Sequence, residues 1–159
     1  MARAFIGLGS NLGDREQNLR SALEHLRRLP HTQAVQVSLW RETPPEGGPP
    51  QGPYLNGAAE LHTELPPGDL LAGLQGIEKT LGRKRDGPRW GPRTIDLDLI
   101  AYDDLQMDEP NLTLPHPRAH ERRFVLEPLA EIAPDWRHPR LERTAHELLE
   151  SLNPHAHRP

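Results

Sequence analysis

The chain has 159 residues, a formal net charge of -4 and no cysteine, so it fits one domain that buries a core without disulfides, thiolate metal sites or a cysteine nucleophile. The excess of acidic residues argues against general nucleic-acid or membrane-surface binding, and no apolar run approaches the roughly 20 residues that span a bilayer. Because the first residues also lack the apolar core of a secretory signal, we expect a cytoplasmic protein with a single domain over residues 1–159, of which 153–159 form a flexible tail.

The first predicted elements are a strand and a helix joined by a turn. The apolar run Ala4–Leu8 predicts a strand, and Gly9–Gly13 predicts a turn. Asp14 is placed to cap a helix, with Gln17 positioned to close a capping box. Pro30 ends this helix, whose buried stripe is predicted from leucines at helical spacing: Leu19, Leu23, Leu26 and Leu29.

Two further strands follow, separated by a long connection. Residues 34–40 alternate apolar and polar side chains, and residues 54–63 carry apolar side chains typical of a strand. Residues 43–53 between them are rich in proline and glycine and too many for a tight hairpin. Loops of this kind inside a compact domain are usually functional, so we expect this one to close over a ligand.

The second half of the chain predicts a helix, a strand and two additional helices. Pro67 suits a first helical turn, Gly82 a C-cap, and residues 94–102 a strand. The predicted buried stripe of the helix is Leu70, Leu71, Leu74, Ile77 and Leu81. The order β-α-β-β-α-β predicts an α+β, ferredoxin-like fold: an antiparallel sheet with helices on one face. Residues 119–130 and 144–152 would add C-terminal helices.

A basic segment lies between the second helix and the last strand. It contains one acid, Asp86, against five cations: Arg83, Lys84, Arg85, Arg89 and Arg93. Arginine suits bidentate phosphate contacts, so this concentration of charge on an acidic chain predicts a small anionic ligand. A solvated charged loop is the alternative.

Two aspartates on the last predicted strand carry the strongest chemical signal. Asp96 and Asp98 alternate with Ile95, Leu97 and Leu99, so both carboxylates are expected on one face and the apolar side chains in the core. Two strand steps separate their Cα atoms by roughly 7 Å, which suits a pair of Mg²⁺ ions at a phosphate-transferring site. By itself the pattern also fits the solvated face of an edge strand.

Other features are weaker when taken alone. Trp90 between charged and Gly-Pro residues can cover a heterocycle or simply pack. The glycines of residues 7–13 do not match the spacing of a dinucleotide fingerprint or a P-loop. His116 follows the acidic strand and Asn56 begins an earlier one, and each has an ordinary structural alternative.

Together these features resemble the 6-hydroxymethyl-7,8-dihydropterin pyrophosphokinase family. The resemblance covers residues 4 to about 135 and rests on five segments: Gly9–Gly13 (GSNLG), Thr43–Pro45 (TPP), Pro53–Asn56 (PYLN), Arg89–Leu99 (RWGPRTIDLDL) and Leu114–His116 (LPH). It implies transfer of pyrophosphate from ATP to the pterin alcohol in folate synthesis, giving the pterin diphosphate and AMP, by a Mg²⁺-dependent transferase.

The resemblance also implies roles for individual residues. Asp96 and Asp98 would hold two Mg²⁺ ions and, with Arg83 and Arg93, form the catalytic set. Residues matching the ATP site are Gln75, Glu78, Arg85, Trp90, Arg93, Leu99, Thr113, His116 and Arg122. Residues matching the pterin pocket are Thr43, Pro44, Tyr54, Asn56, Trp90 and Phe124, with the ring stacked between Phe124 and Tyr54. Departures from the family pattern are Glu46, Asn111 and Pro117.

Two other classes of function stay open on the residues alone. A two-metal nucleotidyltransferase or nuclease also uses paired aspartates beside arginines, but would not need the TPP and PYLN segments. An RNA-binding ferredoxin-like module is the non-enzymatic alternative, although its aromatic strand pattern is missing. We therefore expect small-molecule partners, ATP and a reduced pterin, without nucleic acid or membrane, and a monomer.

Overall fold

The computed structural model describes residues 1–44, 52–82 and 94–152, and every structural statement below concerns these residues. The elements in chain order are β1 (Ala2–Ser10), α1 (Arg15–Arg27), β2 (Thr32–Val37), β3 (Arg41–Thr43), β4 (Tyr54–Thr63), α2 (Pro67–Thr80), β5 (Asp96–Tyr102), β6 (Met107–Glu109), β7 (Leu112–Leu114), α3 (Arg123–Ile132) and α4 (Ala145–Ser151). A 3₁₀ turn, Ala119–Glu121, precedes α3.

The main sheet has the strand order β2-β4-β1-β5, and its neighbouring strands are antiparallel. The short strand β3 pairs with the beginning of β4, and β6 and β7 form a separate hairpin. Without β3, the order of strands and helices up to β5 is β-α-β-β-α-β. The strands of the first unit, β1 and β2, alternate in the sheet with those of the second unit, β4 and β5. The predicted α+β, ferredoxin-like fold is therefore confirmed.

Both faces of this sheet are covered. Ile6 and Leu8 of β1 pack with buried residues of α1 and α2 in one core, whereas Phe5 packs on the opposite face with residues of α3 and Trp136. The expectation of helices on one face holds for α1 and α2 only. The C-terminal segment covers the part of the second face where Phe5 of β1, Ala58 of β4 and Ile100 of β5 are buried.

Helix ends follow the sequence signals with one correction. Asp14 caps α1 by accepting a hydrogen bond from the Gln17 backbone N–H at 3.1 Å, as predicted. The Gln17 side chain instead donates to Ser21 Oγ at 3.2 Å, so the predicted capping box is wrong. A complete capping box forms at α4 between Thr144 and Glu147. Gly82, at φ +99°, follows α2 in the left-handed conformation expected of its position.

The predicted strand over residues 34–40 is divided in the structure. Strand β2 ends at Val37, and β3 begins at Arg41. Trp40 between them packs closely over Gly57 of β4, where an added Cβ would come within 2.4 Å of the indole ring. The strand is interrupted before Arg41, where the indole ring of Trp40 lies over Gly57. The alternation of side chains over residues 34–40 did not predict this interruption.

Candidate active site

Two carboxylates share one face at the beginning of β5. Asp98 is exposed and Asp96 half-buried, while Ile95, Leu97 and Leu99 are exposed by only 0%, 5% and 4%. The structure thus agrees with the predicted division of this segment into a carboxylate face and a core face. The carboxylates lie on the same face of the sheet as Phe5, Ala58 and Ile100, opposite α1 and α2.

Glycines occupy the positions beside these aspartates. In β1, Gly7 pairs with Asp98 and Gly9 with Asp96, and on its other side Gly9 pairs with Asn56 of β4. A Cβ on Gly9 would lie 2.8 Å from Asn56 Oδ1 and 3.3 Å from Cδ1 of Tyr54. Gly9 therefore leaves room for the amide of Asn56 within a three-strand row that ends at Asp96.

Sequence analysis missed this role of the glycines. The sequence predicts Gly7 within the first strand and Gly9 at the start of the turn Gly9–Gly13, whereas β1 continues to Ser10 and includes both glycines. Two glycines separated by one residue share a face only when both lie on a strand, so the extension of β1 to Ser10 is what puts Gly7 and Gly9 beside the aspartates.

The pairing of β3 with β4 brings together three residues predicted to bind the pterin. Thr43 pairs with Tyr54, and the amide nitrogen of Asn56 donates a hydrogen bond to the Thr43 hydroxyl. Asn56 is buried, and its orientation is fixed by this contact. Since paired residues and those two positions away lie on one face, Tyr54 and Asn56 share the face of Asp96. Pro44 follows Thr43 and is exposed.

The turn after β1 is fastened to both neighbouring segments. Asn18 of α1 donates to Ser10 Oγ at 3.1 Å and to the Leu12 carbonyl at 2.8 Å. Asn11 donates to the Gly52 carbonyl at 3.2 Å. Arg15, which sequence analysis did not select, donates to the Pro53 carbonyl at 2.9 Å and pairs with Glu42 at 3.0 Å. These contacts hold the beginning of β4 against the turn.

A second group of predicted residues lies on the segment that precedes α3 and on the first turn of that helix. The backbone N–H of His116 donates to the Ile100 carbonyl at 2.8 Å, and Nδ1 of His116 accepts from the Arg118 N–H at 3.3 Å. Burial lowers the pKa of His116, and the positive charges of Arg122 and Arg118 lower it further. The Arg122 guanidinium lies 5.5 Å from the Phe124 ring centroid. His116 is thus a neutral imidazole, with Nε2 left to donate a hydrogen bond.

The remaining predicted ATP residues are more dispersed. Gln75 is exposed on α2, Glu78 is buried on the same helix, and Thr113 is half-buried on β7. Leu99 lies in the core with α1 and α2, so its side chain and the Asp98 carboxylate are on opposite faces. The structure does not bring the Leu99 side chain together with the carboxylates. The four predicted residues of the basic segment fall outside the described residues: Arg83, Arg85, Trp90 and Arg93.

The two aspartates fit magnesium chemistry. Among residues 1–44, 52–82 and 94–152, no group of three or more histidine, aspartate or glutamate side chains is arranged to hold a metal. Mg²⁺ is commonly held by only one or two carboxylates together with substrate phosphates and water. Hard carboxylate oxygens on one exposed face therefore match an ion that binds together with a nucleotide. Within the same ranges, no helix has the length and apolar character needed to cross a membrane.

The α+β fold and this carboxylate face are those expected of an enzyme that acts on the phosphates of a small molecule. A family model described as 7,8-dihydro-6-hydroxymethylpterin-pyrophosphokinase (HPPK) matches residues 5–134. The chain belongs to this family. The predicted family and enzyme class are confirmed, and the family's pyrophosphoryl transfer onto hydroxymethyldihydropterin, with ATP as co-substrate, is the activity that the sequence predicted.

Curated relatives support the same conclusion. Several bacteria have proteins that are similar to this chain and are named 2-amino-4-hydroxy-6-hydroxymethyldihydropteridine pyrophosphokinase. The one from Methylorubrum extorquens is 49% identical over 135 residues, covering 85% of each chain. The one from Synechocystis is 44% identical over 150 residues, covering 94% of this chain and 76% of the relative. The one from Pseudomonas aeruginosa is 45% identical over 137 residues, covering 86% and 84%.

Solved structures agree on the fold. A structure described as HPPK-DHPS in complex with substrates superposes with a TM-score of 0.73 at 12% identity, over 95% of this chain and 45% of that one. Wild-type Plasmodium falciparum HPPK-DHPS gives a TM-score of 0.69 at 13% identity, over 94% and 44%. This chain therefore spans less than half of those longer proteins, and the likeness concerns the fold.

Proposed function

We propose that this chain transfers the pyrophosphoryl group of ATP to the hydroxymethyl oxygen of 6-hydroxymethyl-7,8-dihydropterin, releasing AMP. The observation that carries the proposal is the row Asn56, Gly9 and Asp96 across three paired strands. The row has the Asn56 amide at one end, the Asp96 carboxylate at the other and no side chain at Gly9 in the middle, which supports a pterin bound at the amide and a metal bound at the carboxylate. A pterin beside Asn56 would then present its alcohol toward phosphates held near Asp96 and Asp98.

The pterin end of the site supplies orientation. Because the Asn56 amide nitrogen is engaged by Thr43, its Oδ1 is left to accept from ring N–H groups. Oδ1 also lies toward the space above Gly9, since a Cβ there would meet it at 2.8 Å. Tyr54 on the sheet and Phe124 on α3 are the aromatic side chains proposed to stack on the two faces of the pterin.

The phosphate end of the site supplies charge. We assign Asp96 and Asp98 to two Mg²⁺ ions, which when bound neutralise phosphate charge and stabilise the transferred group. His116, a neutral donor at Nε2, and the cationic Arg122 are assigned to phosphate oxygens. The roles of Arg83, Arg85, Trp90 and Arg93 stay predictions, as do the nucleotide contacts of Gln75, Glu78, Leu99 and Thr113.

The reaction follows from this arrangement. The hydroxymethyl oxygen attacks the β-phosphorus in line, a new P–O bond forms, and the bond to the oxygen bridging the α- and β-phosphorus breaks as AMP leaves. Positioning is the main contribution of the side chains because the pterin is held on one side of the row and phosphate on the other. Nδ1 of His116 already accepts a hydrogen bond from the Arg118 N–H, so we assign the loss of the alcohol proton to water rather than to this ring.

Product analysis tests the function directly. The full chain is incubated with Mg-ATP and the reduced pterin, and nucleotides are separated by chromatography. AMP and pterin diphosphate in equal amounts are expected, and neither should form when the pterin is omitted. ADP would indicate an ordinary kinase, and pyrophosphate a nucleotidyltransferase; either product would reject the proposal. Cytoplasmic location, a monomeric state and the absence of nucleic-acid or membrane partners stay predictions.

A further inference from the structure

Arg41 joins the two walls of the proposed pterin pocket. It lies on β3 and pairs with Asn56 across the β3–β4 ladder. Its Nη2 atom contacts Glu131 Oε1 of α3 at 2.6 Å, and its Nε atom lies 3.7 Å from Glu127 Oε1. The other oxygen of Glu131 accepts from the Leu39 backbone N–H at 2.9 Å. The sheet wall and the helix wall are thus connected through one guanidinium and one shared carboxylate.

These carboxylates lie on the helix face that carries Phe124. Positions three and seven residues apart lie on one side of an α-helix, so Phe124, Glu127 and Glu131 form one stripe of α3. A contact that fixes Glu131 against β3 therefore also fixes the direction in which Phe124 leaves the helix. Glu127 is the weaker partner, since it is also 3.4 Å from Arg123.

The backbone of α3 is weakened in its first turn, which contains Phe124. Pro128 lies inside this helix and has no N–H, so it cannot make the usual hydrogen bond to the carbonyl four residues earlier, which is that of Phe124. The first turn consequently depends more on side-chain contacts to hold its orientation. Arg41 supplies such contacts from the sheet.

Partial burial strengthens the pair between Arg41 and Glu131. Each side chain is 29% exposed, compared with 50% and 56% for Arg27 and Glu24, a pair of the same 2.6 Å separation on α1. Reduced solvent screening and the additional bond from Leu39 make the first pair worth more than an ordinary surface ion pair. The α1 pair provides a matched control.

We propose that Arg41 and Glu131 are positioning residues that set the placement of Phe124 relative to Asn56 and thereby the affinity for the pterin. The inference rests on the proposed function. The pair acts through the pocket walls, so it alters pterin binding more than nucleotide binding, to which the beginning of α3 contributes Arg122.

Kinetics on both substrates test this role. AMP formation by the full chain is measured against pterin concentration at saturating ATP, and against ATP at saturating pterin. Glu131→Ala should raise the KM for the pterin about three- to tenfold, less than the full effect of a charge-assisted hydrogen bond because the pair acts on the pterin only through Phe124. The KM for ATP should change less than about twofold. Glu131→Gln, which keeps an acceptor for Leu39, should recover part of the loss. Glu24→Ala should behave as wild type.

The outcomes separate the two levels of the proposal. An unchanged pterin KM in folded Glu131→Ala, or equal increases in both KM values, would reject the positioning role. If Glu131→Ala does not fold, Arg41→Lys, which keeps the Leu39 contact, is measured by the same criterion. Absence of AMP from the wild-type chain would reject the proposed function and this inference with it. If the wild type is active and the variants have the wild-type KM for the pterin, the inference alone is rejected.

Discussion

The buried carboxylate of Glu78 accepts a hydrogen bond from the backbone N–H of Leu97 at 2.8 Å, between the two aspartates of β5. Among the described strands β5 pairs with β1 alone, so its other edge presents backbone groups that need partners. Glu78 of α2 is the partner of one such group, the N–H of Leu97, which it contacts from the core side. This contact couples the position of the carboxylate-bearing segment to a helix on the opposite face.

We predict that Glu78→Ala destabilises the fold. The substitution leaves the N–H of Leu97 without this buried acceptor, at a cost of about 1–3 kcal/mol, and loosens the segment between Asp96 and Asp98. Glu78→Gln retains an acceptor oxygen and should lose less. Urea unfolding monitored by circular dichroism measures both free energies. Equal stabilities for the Ala and Gln variants would show that the hydrogen bond contributes nothing.

Asp98→Asn should impair catalysis without impairing folding. Asp98 is exposed on a strand whose buried residues remain intact, so the melting temperature should change by about 2 °C or less. Turnover should fall at least about 100-fold because a charged ligand near the transferred phosphate is lost. Asp108→Asn, an exposed aspartate on β6, is the control for charge alone. Near-normal AMP formation at saturating Mg²⁺ would reject the metal assignment.

Gly9→Ala should act on the pterin end of the site. The new methyl would lie 2.8 Å from Asn56 Oδ1, so the amide must move and its contact with Thr43 is disturbed. We expect the KM for the pterin to rise about fivefold or more, while the KM for ATP changes little. Gly76→Ala is the matched control, because nothing lies within 4 Å of its added methyl. That variant should gain about 0.5–1 kcal/mol of helix stability.

A buried histidine predicts loss of stability in mild acid. Nδ1 of His138 accepts from the backbone N–H groups of Arg140 and Leu141, each at 3.2 Å. Burial lowers the pKa of His138, with further lowering by the positive charges of His120 and Arg140. The unfolded chain therefore binds a proton more readily than the folded one, and stability falls as the pH drops below the unfolded pKa of about 6.5 toward the lowered folded pKa.

His138→Asn tests this dependence, because the Asn oxygen can replace Nδ1 as acceptor but does not titrate. Urea unfolding is measured at about pH 7.5, where His138 is neutral in both states, and at about pH 5.5. The variant should lose less stability between these values than the wild type, with His116 retaining part of the slope. His146→Gln, an exposed change on α4, should keep the wild-type slope. A variant with an unchanged slope would contradict the assignment to His138.

The sequence alone determined the elements whose signals are local. The alternation around Asp96 and Asp98 predicted which side chains enter the core, because a strand turns successive residues to opposite faces. Helical spacing predicted the buried leucines of α1, and residues 54–63 coincide with β4. The RWGPRTIDLDL segment was specific enough to predict the family.

Only the tertiary structure decided which residues meet across the sheet. Gly9 lies between Asn56 and Asp96 because of strand register, which depends on hydrogen bonds between segments more than 40 residues apart and not on local spacing. The contacts of Glu78 with β5 and of Arg41 with Glu131 depend in the same way on how helices pack on the two faces of the finished sheet. The spacing of apolar residues along the chain indicates which side chains point into the core. The residues that each side chain contacts depend on how distant elements pack.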